Sequence, residues 1–264
     1  MCNRNRVHSM PDVNPVYDKS DISLEREVVY RDSITSIQDV VETVRRWGIV
    51  VFPSYIKKDR LAKLNIEFDN LLVNRAKLGF TTDEYENITN IRLKQDELDS
   101  TTFSYIASFF NESFMSDVSQ VYYGADNYRL NGEIFVSELT ETQSKQTKPP
   151  FALHFDKRNV LKFFLYLTDT DERNGAMRAL PGSNVRNRAA REDAMHRTAL
   201  KDIENVLPEP LVPSMPICGP AGTLFIFDTD MCHGASFVKP GFTRRSMRGH
   251  THSHEMLQAM DAEI

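Results

Sequence analysis

The sequence predicts a mainly β fold with flanking helices, and three features of the chain support this prediction. Short apolar segments dominate from about Tyr128 onward, turn-forming pairs such as Asn174-Gly175 and Pro181-Gly182 separate them, and helical spacing is concentrated before that point. Many short strands at this spacing favour a sandwich or a barrel. The predicted strands are 128–138, 150–156, 161–168, 176–180, 212–217, 222–228, 233–238 and 244–251.

The first half of the chain is predicted to form helices that support the β core. Apolar residues recur at helical spacing from Ser33 to Trp47, and Gly48 is a natural stop for this helix. The other elements predicted here are a short strand at 49–52, a helix from about Asp59 and a helix around 103–122.

The order of these elements predicts a simple domain organisation. Residues 1–25 are polar and irregular and predict a flexible tail, whereas 26–264 is expected to be one domain. This domain would have a helical buttress at 33–125 and a β core at 128–252. Residues 184–206 are rich in Ala, Arg and Glu and predict a helical or mobile insert, which is either a lid over a site or a surface excursion of no consequence.

The composition is that of an ordinary globular protein, with 264 residues, 41% hydrophobic residues and 26% charged residues. The net charge of −5 and the pI of about 5.8 give no indication of a basic surface that would bind nucleic acid. The three cysteines cannot form a disulfide framework, and the longest apolar run, 163–167, is far shorter than the roughly 20 residues of a membrane span. We therefore expect a cytoplasmic protein, without nucleic-acid or membrane partners, that acts on a small molecule.

His154 and Asp156 are the most informative pair of residues in the chain. Side chains alternate between the faces of a strand, so these two would point the same way and could hold one side of a metal ion. His233 ends a strong apolar strand, is followed by Gly234, and offers a third ligand from a distant part of the chain. Two histidines and one carboxylate form the facial triad of non-haem Fe(II) oxygenases, which leaves positions open for a co-substrate and O₂.

Arg244 distinguishes an oxygenase from a simple metal site. It lies on the strand expected to return past the metal. A buried arginine is costly without an anion, and its planar fork suits the distant carboxylate of a dicarboxylic co-substrate such as 2-oxoglutarate. The alternative is a surface pair of Arg244 and Arg245, of which strand alternation lets only one face inward.

Two further clusters are expected to be structural. His250, His252 and His254 alternate along the chain without a carboxylate at matching spacing, so core histidines are expected rather than metal ligands. A local cluster of arginines is expected to form a solvated helix face; its members are Arg186, Arg188 and Arg191.

The order of these motifs resembles that of the phytanoyl-CoA dioxygenase family of Fe(II)/2-oxoglutarate oxygenases. The resemblance is carried by LHFD at 153–156, FFLYLTDTDERNGAMRALPGSN at 163–184 and GPAGTLFIFDTDMCHGAS at 219–236, followed by Arg244. It implies a double-stranded β-helix (a cupin-like jelly roll) as the core. It also implies that the triad binds Fe(II), that Arg244 holds the C5 carboxylate of 2-oxoglutarate, and that O₂ is the second co-substrate.

The chain departs from the family pattern at three positions. Asn184 stands where the family has a histidine, Thr223 stands where an acid is frequent, and Ala235 occupies the place of a serine that commonly helps to bind 2-oxoglutarate. Because Ser236 lies one residue late, Tyr166 is the candidate for this second contact with the co-substrate.

The resemblance implies a function, oxidation of an unactivated C–H bond with release of succinate and CO₂. Hydroxylation is the expected outcome, with desaturation or ring closure open, and Asp156 disfavours halogenation because halogenating relatives carry Gly or Ala there. The expected substrate is a small metabolite or natural-product precursor. An anionic substrate would suit the cations Arg178, Arg248 and Lys162, unless these are salt-bridged or exposed to solvent.

Two other functions stay open. One is a cupin-type metal enzyme that does not use 2-oxoglutarate, in which Arg244 is structural. The other is a jelly roll that binds a small molecule without turning it over. Formation of succinate coupled to loss of a substrate would separate the predicted function from both.

Overall fold

The structure is a computed structural model, and it describes residues 21–78, 80–85, 87–94, 98, 101–109, 111–124, 128–141, 152–156, 158–197 and 214–261. The α-helices are α1 (Ile37–Trp47), α2 (Lys58–Leu78), α3 (Ser104–Phe109), α4 (Ser113–Tyr123), α5 (Asn184–Arg197) and α6 (His254–Asp261). The strands are β1 (Ile49–Phe52), β2 (Thr81–Tyr85), β3 (Ile88–Lys94), β4 (Tyr128–Leu139), β5 (Leu161–Tyr166), β6 (Met177–Leu180), β7 (Met215–Ile217), β8 (Leu224–Asp228), β9 (Cys232–Ala235) and β10 (Arg244–Ser253). A short 3₁₀-helix spans Arg26–Val28.

Two antiparallel sheets face each other in the core. The larger sheet has the strand order β1-β8-β5-β10-β4-β3-β2, and the smaller sheet has the order β7-β6-β9. Tyr166 and Phe225 of the larger sheet pack in one buried cluster with Met177 and Ile217 of the smaller sheet. This arrangement is a double-stranded β-helix with flanking helices, so the predicted fold class is confirmed.

Alternation along the strands gives the larger sheet two different faces. One face is apolar and packs against the helices, as shown by Val136 and Met247, which share a buried cluster with Phe68 and Leu71 of α2. The opposite face is directed toward the smaller sheet and carries polar and charged residues among its aromatic rings. Residues of this second face line a cavity between the two sheets.

Gly48 ends α1 and allows a close contact with the loop that precedes β9. Ser36 caps the start of the helix, since its hydroxyl accepts a hydrogen bond from the Asp39 amide, and Gly48 caps the end with a φ of 77°. A Cβ atom at Gly48 would lie 2.6 Å from Cβ of Met231. The predicted helix stop is confirmed, and a side chain at this position would displace the loop before His233.

Three features of the secondary structure differ from the prediction, two in the predicted helical region and one after the β core. The strands β2 and β3 lie within the predicted helical buttress and extend the larger sheet. Their segment carries a weak signal because only Ile91 and Leu93 face the apolar core, whereas Asn90 lies on the cavity face. The single helix predicted around 103–122 is divided into α3 and α4, and the Asn111 side chain, which donates to the Ala107 carbonyl, ends α3. The helix α6 has no counterpart among the predictions.

The structure describes only part of the predicted tail (1–25) and part of the predicted helical or mobile insert (184–206). Residues 1–20 of the predicted tail lie outside the described residues, but Ser23 donates its amide to the Pro181 carbonyl at 3.1 Å. Of the predicted insert, α5 covers 184–197 as a helix, and 198–206 lies outside the described residues. None of the described helices is long and apolar enough to cross a membrane.

Candidate metal centre

His154, Asp156 and His233 come together in the groove between the two sheets. Each offers one ligand atom, and the three atoms lie within 4.8 Å of one another. Nε2 of His154 is 3.4 Å from Oδ1 of Asp156, and Nε2 of His233 is 3.5 Å from the same oxygen. Two imidazole nitrogens and one carboxylate oxygen directed at one point fit a divalent metal such as Fe(II). In the part of the chain that the structure describes, no other group of three or more His, Cys, Asp or Glu residues has this geometry.

The backbone fixes the two histidines as a pair. The amide of His154 donates to the His233 carbonyl at 2.9 Å, and the amide of His233 donates to the His154 carbonyl at 2.7 Å. Nδ1 of His154 lies 2.7 Å from the Ala152 carbonyl oxygen, and Nδ1 of His233 lies 2.8 Å from that of Met231. These contacts favour a proton on each Nδ1 and leave each Nε2 available to a metal.

The predicted strand at 150–156 is wrong in its described part, because residues 152–156 form only an isolated bridge between His154 and His233. The two ligands nevertheless share one side. The Asp156 amide donates to the Thr229 carbonyl at 2.9 Å, which holds this segment against the loop after β8. The prediction that His154 and Asp156 point the same way is therefore correct, although a loop achieves it.

Charges around Asp156 keep its carboxylate ionised. Burial raises the pKa of Asp156, but Lys162, His154 and His233 lower it more strongly, so the pKa lies well below its ordinary value. Nζ of Lys162 is 2.7 Å from Oδ2, which leaves Oδ1 to face the imidazoles. Burial lowers the pKa of His233 to about 3, although Asp156 opposes the shift. An ionised carboxylate beside a neutral imidazole is the protonation state that binds a metal cation.

A cavity of about 400 Å³ opens beside this triad. One wall is the larger sheet, with side chains from β3, β4, β5, β8 and β10, and the other wall includes His154, His233, Gly234 and Ala235. A cavity of this volume is suited to small organic molecules. Phe164, Phe227 and Met177 provide apolar surface, so the cavity combines a metal-binding corner with hydrophobic walls.

Arg244 lies in the cavity wall and is only 4% exposed. Its guanidinium donates to the Gly175 carbonyl and lies 5.9 Å from the ring centres of both Phe164 and Tyr166. No carboxylate of the described residues pairs with it, and its Nε is buried without a hydrogen-bond partner there. Burial also lowers the pKa of this guanidinium. A buried cation without an anion fits the free carboxylate of 2-oxoglutarate.

The neighbouring arginine points to the other side of the sheet. Nε of Arg245 is 2.8 Å from Glu138, and its NH1 nitrogen is 2.7 Å from Asp69 of α2. Strand alternation therefore places Arg244 in the cavity and Arg245 in ion pairs outside it, which excludes a surface pair of the two.

Tyr166 lies beside Arg244 but is not among the residues that line the cavity. Its hydroxyl donates to the Ile217 carbonyl at 3.1 Å and accepts from the Met177 amide at 2.9 Å. A direct contact with 2-oxoglutarate stays a prediction, and the geometry supports a role in positioning Arg244. Ser246 does line the cavity, on the same face of β10 as Arg244. Because residues two apart on a strand share a face, Ser246 could have been predicted from the sequence as a cavity residue once Arg244 was placed there.

Of the three cations predicted near the cavity, Arg248 and Lys162 line it. Lys162 is paired with Asp156, whereas Arg178 lies in the smaller sheet, with its Nε 2.7 Å from the Ser214 hydroxyl, and is not a lining residue. Burial lowers the pKa of Arg248 to about 10, so this residue stays protonated at neutral pH.

The prediction of a solvated face is wrong for Arg188 and Arg191 of α5, whereas Arg186 lies in a partly exposed ion pair with Asp21. Asp230 is fully buried and accepts from Nε of Arg191 at 2.8 Å and from Nε of Arg188 at 3.0 Å. Arg188 also pairs with the buried Asp228. The physical reason is that α5 packs across the end of β8 and the loop before β9, where the buried carboxylates of Asp228 and Asp230 require cations. This network fixes the loop that leads to His233.

Fold and site together define a double-stranded β-helix protein with a centre of two histidines and one carboxylate. The sequence matches the family model of phytanoyl-CoA dioxygenase (PhyH) over residues 44–246, and the chain belongs to this family. The match spans all three triad residues and Arg244. The predicted class, an Fe(II)- and 2-oxoglutarate-dependent oxygenase, is confirmed at this level. No curated protein sequence matches the chain significantly.

Several solved structures share the fold at low sequence identity. The epimerase SnoN, in complex with Fe³⁺, alpha ketoglutarate and nogalamycin RO, has a TM-score of 0.60 and 16% identity, covering 82% of this chain and 83% of that chain. The non-heme alpha ketoglutarate dependent carbocyclase SnoK from nogalamycin biosynthesis has a TM-score of 0.58 and 18% identity, covering 83% and 86%. HygX from Streptomyces hygroscopicus, with nickel and 2-oxoglutarate bound, has a TM-score of 0.57 and 12% identity, covering 84% and 88%. These likenesses establish a shared fold.

Proposed function

We propose that this protein hydroxylates an unactivated C–H bond of a small organic molecule while converting 2-oxoglutarate and O₂ to succinate and CO₂. One oxygen atom of O₂ enters the product and the other enters succinate, so the reaction balances. The observation that carries the proposal is the convergence of three metal-binding atoms within 4.8 Å of one another, at a cavity whose wall includes Arg244, a buried cation that pairs with no carboxylate of the described residues.

Each residue of the site has a defined task in this proposal. His154 and His233 would hold Fe(II) through Nε2, and Asp156 would hold it through Oδ1. When bound, the iron supplies the activation of O₂ and the oxidation of the C–H bond. Lys162 keeps the Asp156 carboxylate oriented by occupying its second oxygen at 2.7 Å.

Arg244 would bind the carboxylate of 2-oxoglutarate that is distant from the metal. Its burial among aromatic rings makes each hydrogen bond to an anion stronger than in water, because the local dielectric constant is low. Of these rings, Phe164 lines the cavity and would give apolar surface to the wall beside the co-substrate.

The structures with a similar fold support a small molecule as the substrate, since SnoN was solved with nogalamycin RO and HygX with hygromycin B. SnoN is named an epimerase and SnoK a carbocyclase, so several outcomes are compatible with this fold. The family description, a dioxygenase, favours insertion of oxygen, and hydroxylation is the outcome proposed for this chain.

The experiment that tests the proposal is a screen of small-molecule substrates read out by succinate. The iron-loaded protein is supplied with 2-oxoglutarate and O₂, and succinate is measured together with substrate loss and the product mass. We expect equal amounts of succinate and of a product that has gained one oxygen atom. Product without succinate would support the cupin-type alternative, and binding of substrate without product would support the non-catalytic one.

A further inference from the structure

One row across the larger sheet places two arginines on either side of a phenylalanine. Arg92, Phe135 and Arg248 face one another in register on β3, β4 and β10, and all three line the cavity. We call these three residues the arginine row. The Cζ atom lies 5.4 Å from the Phe135 ring centre for Arg92 and 4.5 Å for Arg248. Both cations therefore reach the same part of the cavity wall.

Among the residues that the structure describes, none supplies an anion to the arginine row. Nε of Arg248 is buried without a hydrogen-bond partner among the described residues, and no ion pair joins Arg248 or Arg92 to a described carboxylate. Asp156 cannot serve both cations, because its oxygens face Lys162 and the two histidines. For the buried Arg248, a desolvated guanidinium without a counter-ion is unfavourable, and contact with the Phe135 ring offsets this cost only in part.

2-Oxoglutarate does not account for this positive charge. It has two carboxylates, of which one joins the metal and the other is assigned to Arg244. Arg248 follows on the same face of β10, and the residue between them on that face is Ser246. Arg244 and Arg248 together carry two positive charges, whereas the free carboxylate of 2-oxoglutarate carries one negative charge. The arginine row therefore remains available to a second anion.

Resting on the proposed function, we propose that the primary substrate is an organic phosphate or phosphonate whose dianionic group is bound by Arg248 together with Arg92. Each guanidinium offers a planar fork that matches two oxygens of such a group, and two cations match its charge. A carboxylate would neutralise only one of them. Phe164 faces Arg248 across the β5–β10 pair and lines the same cavity, so it offers apolar contact to the carbon part of the substrate.

The test uses the nickel-loaded protein saturated with 2-oxoglutarate, because nickel holds the site together without turnover. Phenyl phosphate and benzoate are titrated separately by calorimetry as matched aromatic probes. We expect phenyl phosphate to bind at least tenfold more tightly than benzoate. The proposal would be overturned if the two probes bound equally well or if benzoate bound more tightly. It would also be overturned if phenyl phosphate, at a 20-fold molar excess over protein at millimolar concentration, gave no heat of binding.

Variants of the arginine row test whether it is the binding site of the probe. Arg248→Gln should weaken binding of phenyl phosphate at least tenfold. Arg92→Gln should weaken it only about threefold, because Arg92 is exposed and its charge is screened by water. Arg173→Gln, on the surface and paired with Asp171, is the matched control and should bind the probe as the wild type does. Unchanged binding in both row variants would overturn the proposal. Should Arg248→Gln fail to fold, Arg248→Lys is the second variant. It keeps the positive charge but lacks the planar guanidinium, so we expect it to bind phenyl phosphate several-fold more weakly.

A separate measurement distinguishes failure of this inference from failure of the proposed function. The anaerobic protein with Fe(II) and 2-oxoglutarate should show a visible charge-transfer band in the wild type and in Arg248→Gln. Absence of the band in the wild type would refute the proposed function itself. A band that is present in the wild type and lost in Arg248→Gln would place Arg248 in the 2-oxoglutarate site, and only the substrate inference would fail.

Discussion

His154 and His233 exchange backbone hydrogen bonds of 2.9 and 2.7 Å, which join the loop at 152–156 to strand β9 by one antiparallel bridge. Their ring centres are 4.5 Å apart, and each Nδ1 is held by a carbonyl two residues earlier in the chain. These backbone contacts hold both imidazoles in orientations in which their Nε2 atoms lie near the Asp156 carboxylate.

Lys162→Met should weaken the metal site without removing a ligand. Lys162 holds Oδ2 of Asp156 at 2.7 Å, and loss of such an orienting partner typically reduces metal affinity about 10- to 100-fold. We expect a decrease of about tenfold, measured by competition with a metal chelator. Lys63→Met, on the outer side of α2, is the control and should bind metal normally. Unaltered metal affinity in Lys162→Met would mean that this lysine does not support the ligand.

Arg244→Gln should impair binding of 2-oxoglutarate specifically. A charge-assisted pair in a dry site is worth about 1.5–3 kcal/mol, so the dissociation constant for 2-oxoglutarate should rise roughly 10- to 100-fold. Arg245→Gln removes the same charge from the adjacent position on the opposite face and serves as the control. Titration of 2-oxoglutarate into both anaerobic Fe(II) proteins provides the comparison. Equal effects of the two substitutions would contradict the assignment of Arg244.

Tyr166→Phe distinguishes a structural role of the Tyr166 hydroxyl from direct contact with 2-oxoglutarate. The hydroxyl bridges the Ile217 carbonyl and the Met177 amide, so its removal should lower the free energy of unfolding by about 1–3 kcal/mol. Affinity for 2-oxoglutarate should change less than threefold. Denaturant unfolding and co-substrate titration on the same sample measure both quantities. A tenfold loss of affinity at unchanged stability would instead support direct contact with the co-substrate.

Arg191→Met should destabilise the protein, because it leaves the fully buried Asp230 with one cation fewer. Removing one partner of a buried ion pair typically costs about 3–5 kcal/mol, and Arg188 compensates in part, so we expect a loss of about 3 kcal/mol. The control is Arg173→Met, which breaks an exposed pair with Asp171 and should cost less than about 1 kcal/mol. Similar losses in the two variants would show that the buried network is not a stabilising element.

The triad could be predicted because its signals are local in the sequence. His154 and Asp156 are two residues apart, His233 is marked by an apolar strand and a glycine, and Arg244 follows on the next strand. These signals do not depend on a correct secondary structure: the described part of the predicted strand at 150–156 is a loop, and the three ligand residues still converge. The order of the motifs along the chain was therefore more informative than any single element.

The remaining features depend on tertiary packing and had no local signal. Arg188 and Arg191 have the spacing of a surface helix, and only the buried carboxylates of the distant β8–β9 loop make them internal. Arg92 lies on a strand whose polar face lines the cavity, so its segment lacks the apolar pattern by which buried strands are found. Neither relationship can be deduced without the three-dimensional arrangement.

The most direct test of the metal centre is a titration of Fe(II) into the anaerobic protein in the presence of 2-oxoglutarate, followed by visible absorption. The wild type should develop a charge-transfer band at one equivalent of iron, and Asp156→Ala and His233→Ala should lose it while keeping the circular dichroism spectrum of the wild type. A band of full intensity in Asp156→Ala would contradict the assignment of His154, Asp156 and His233 as the ligands of one iron.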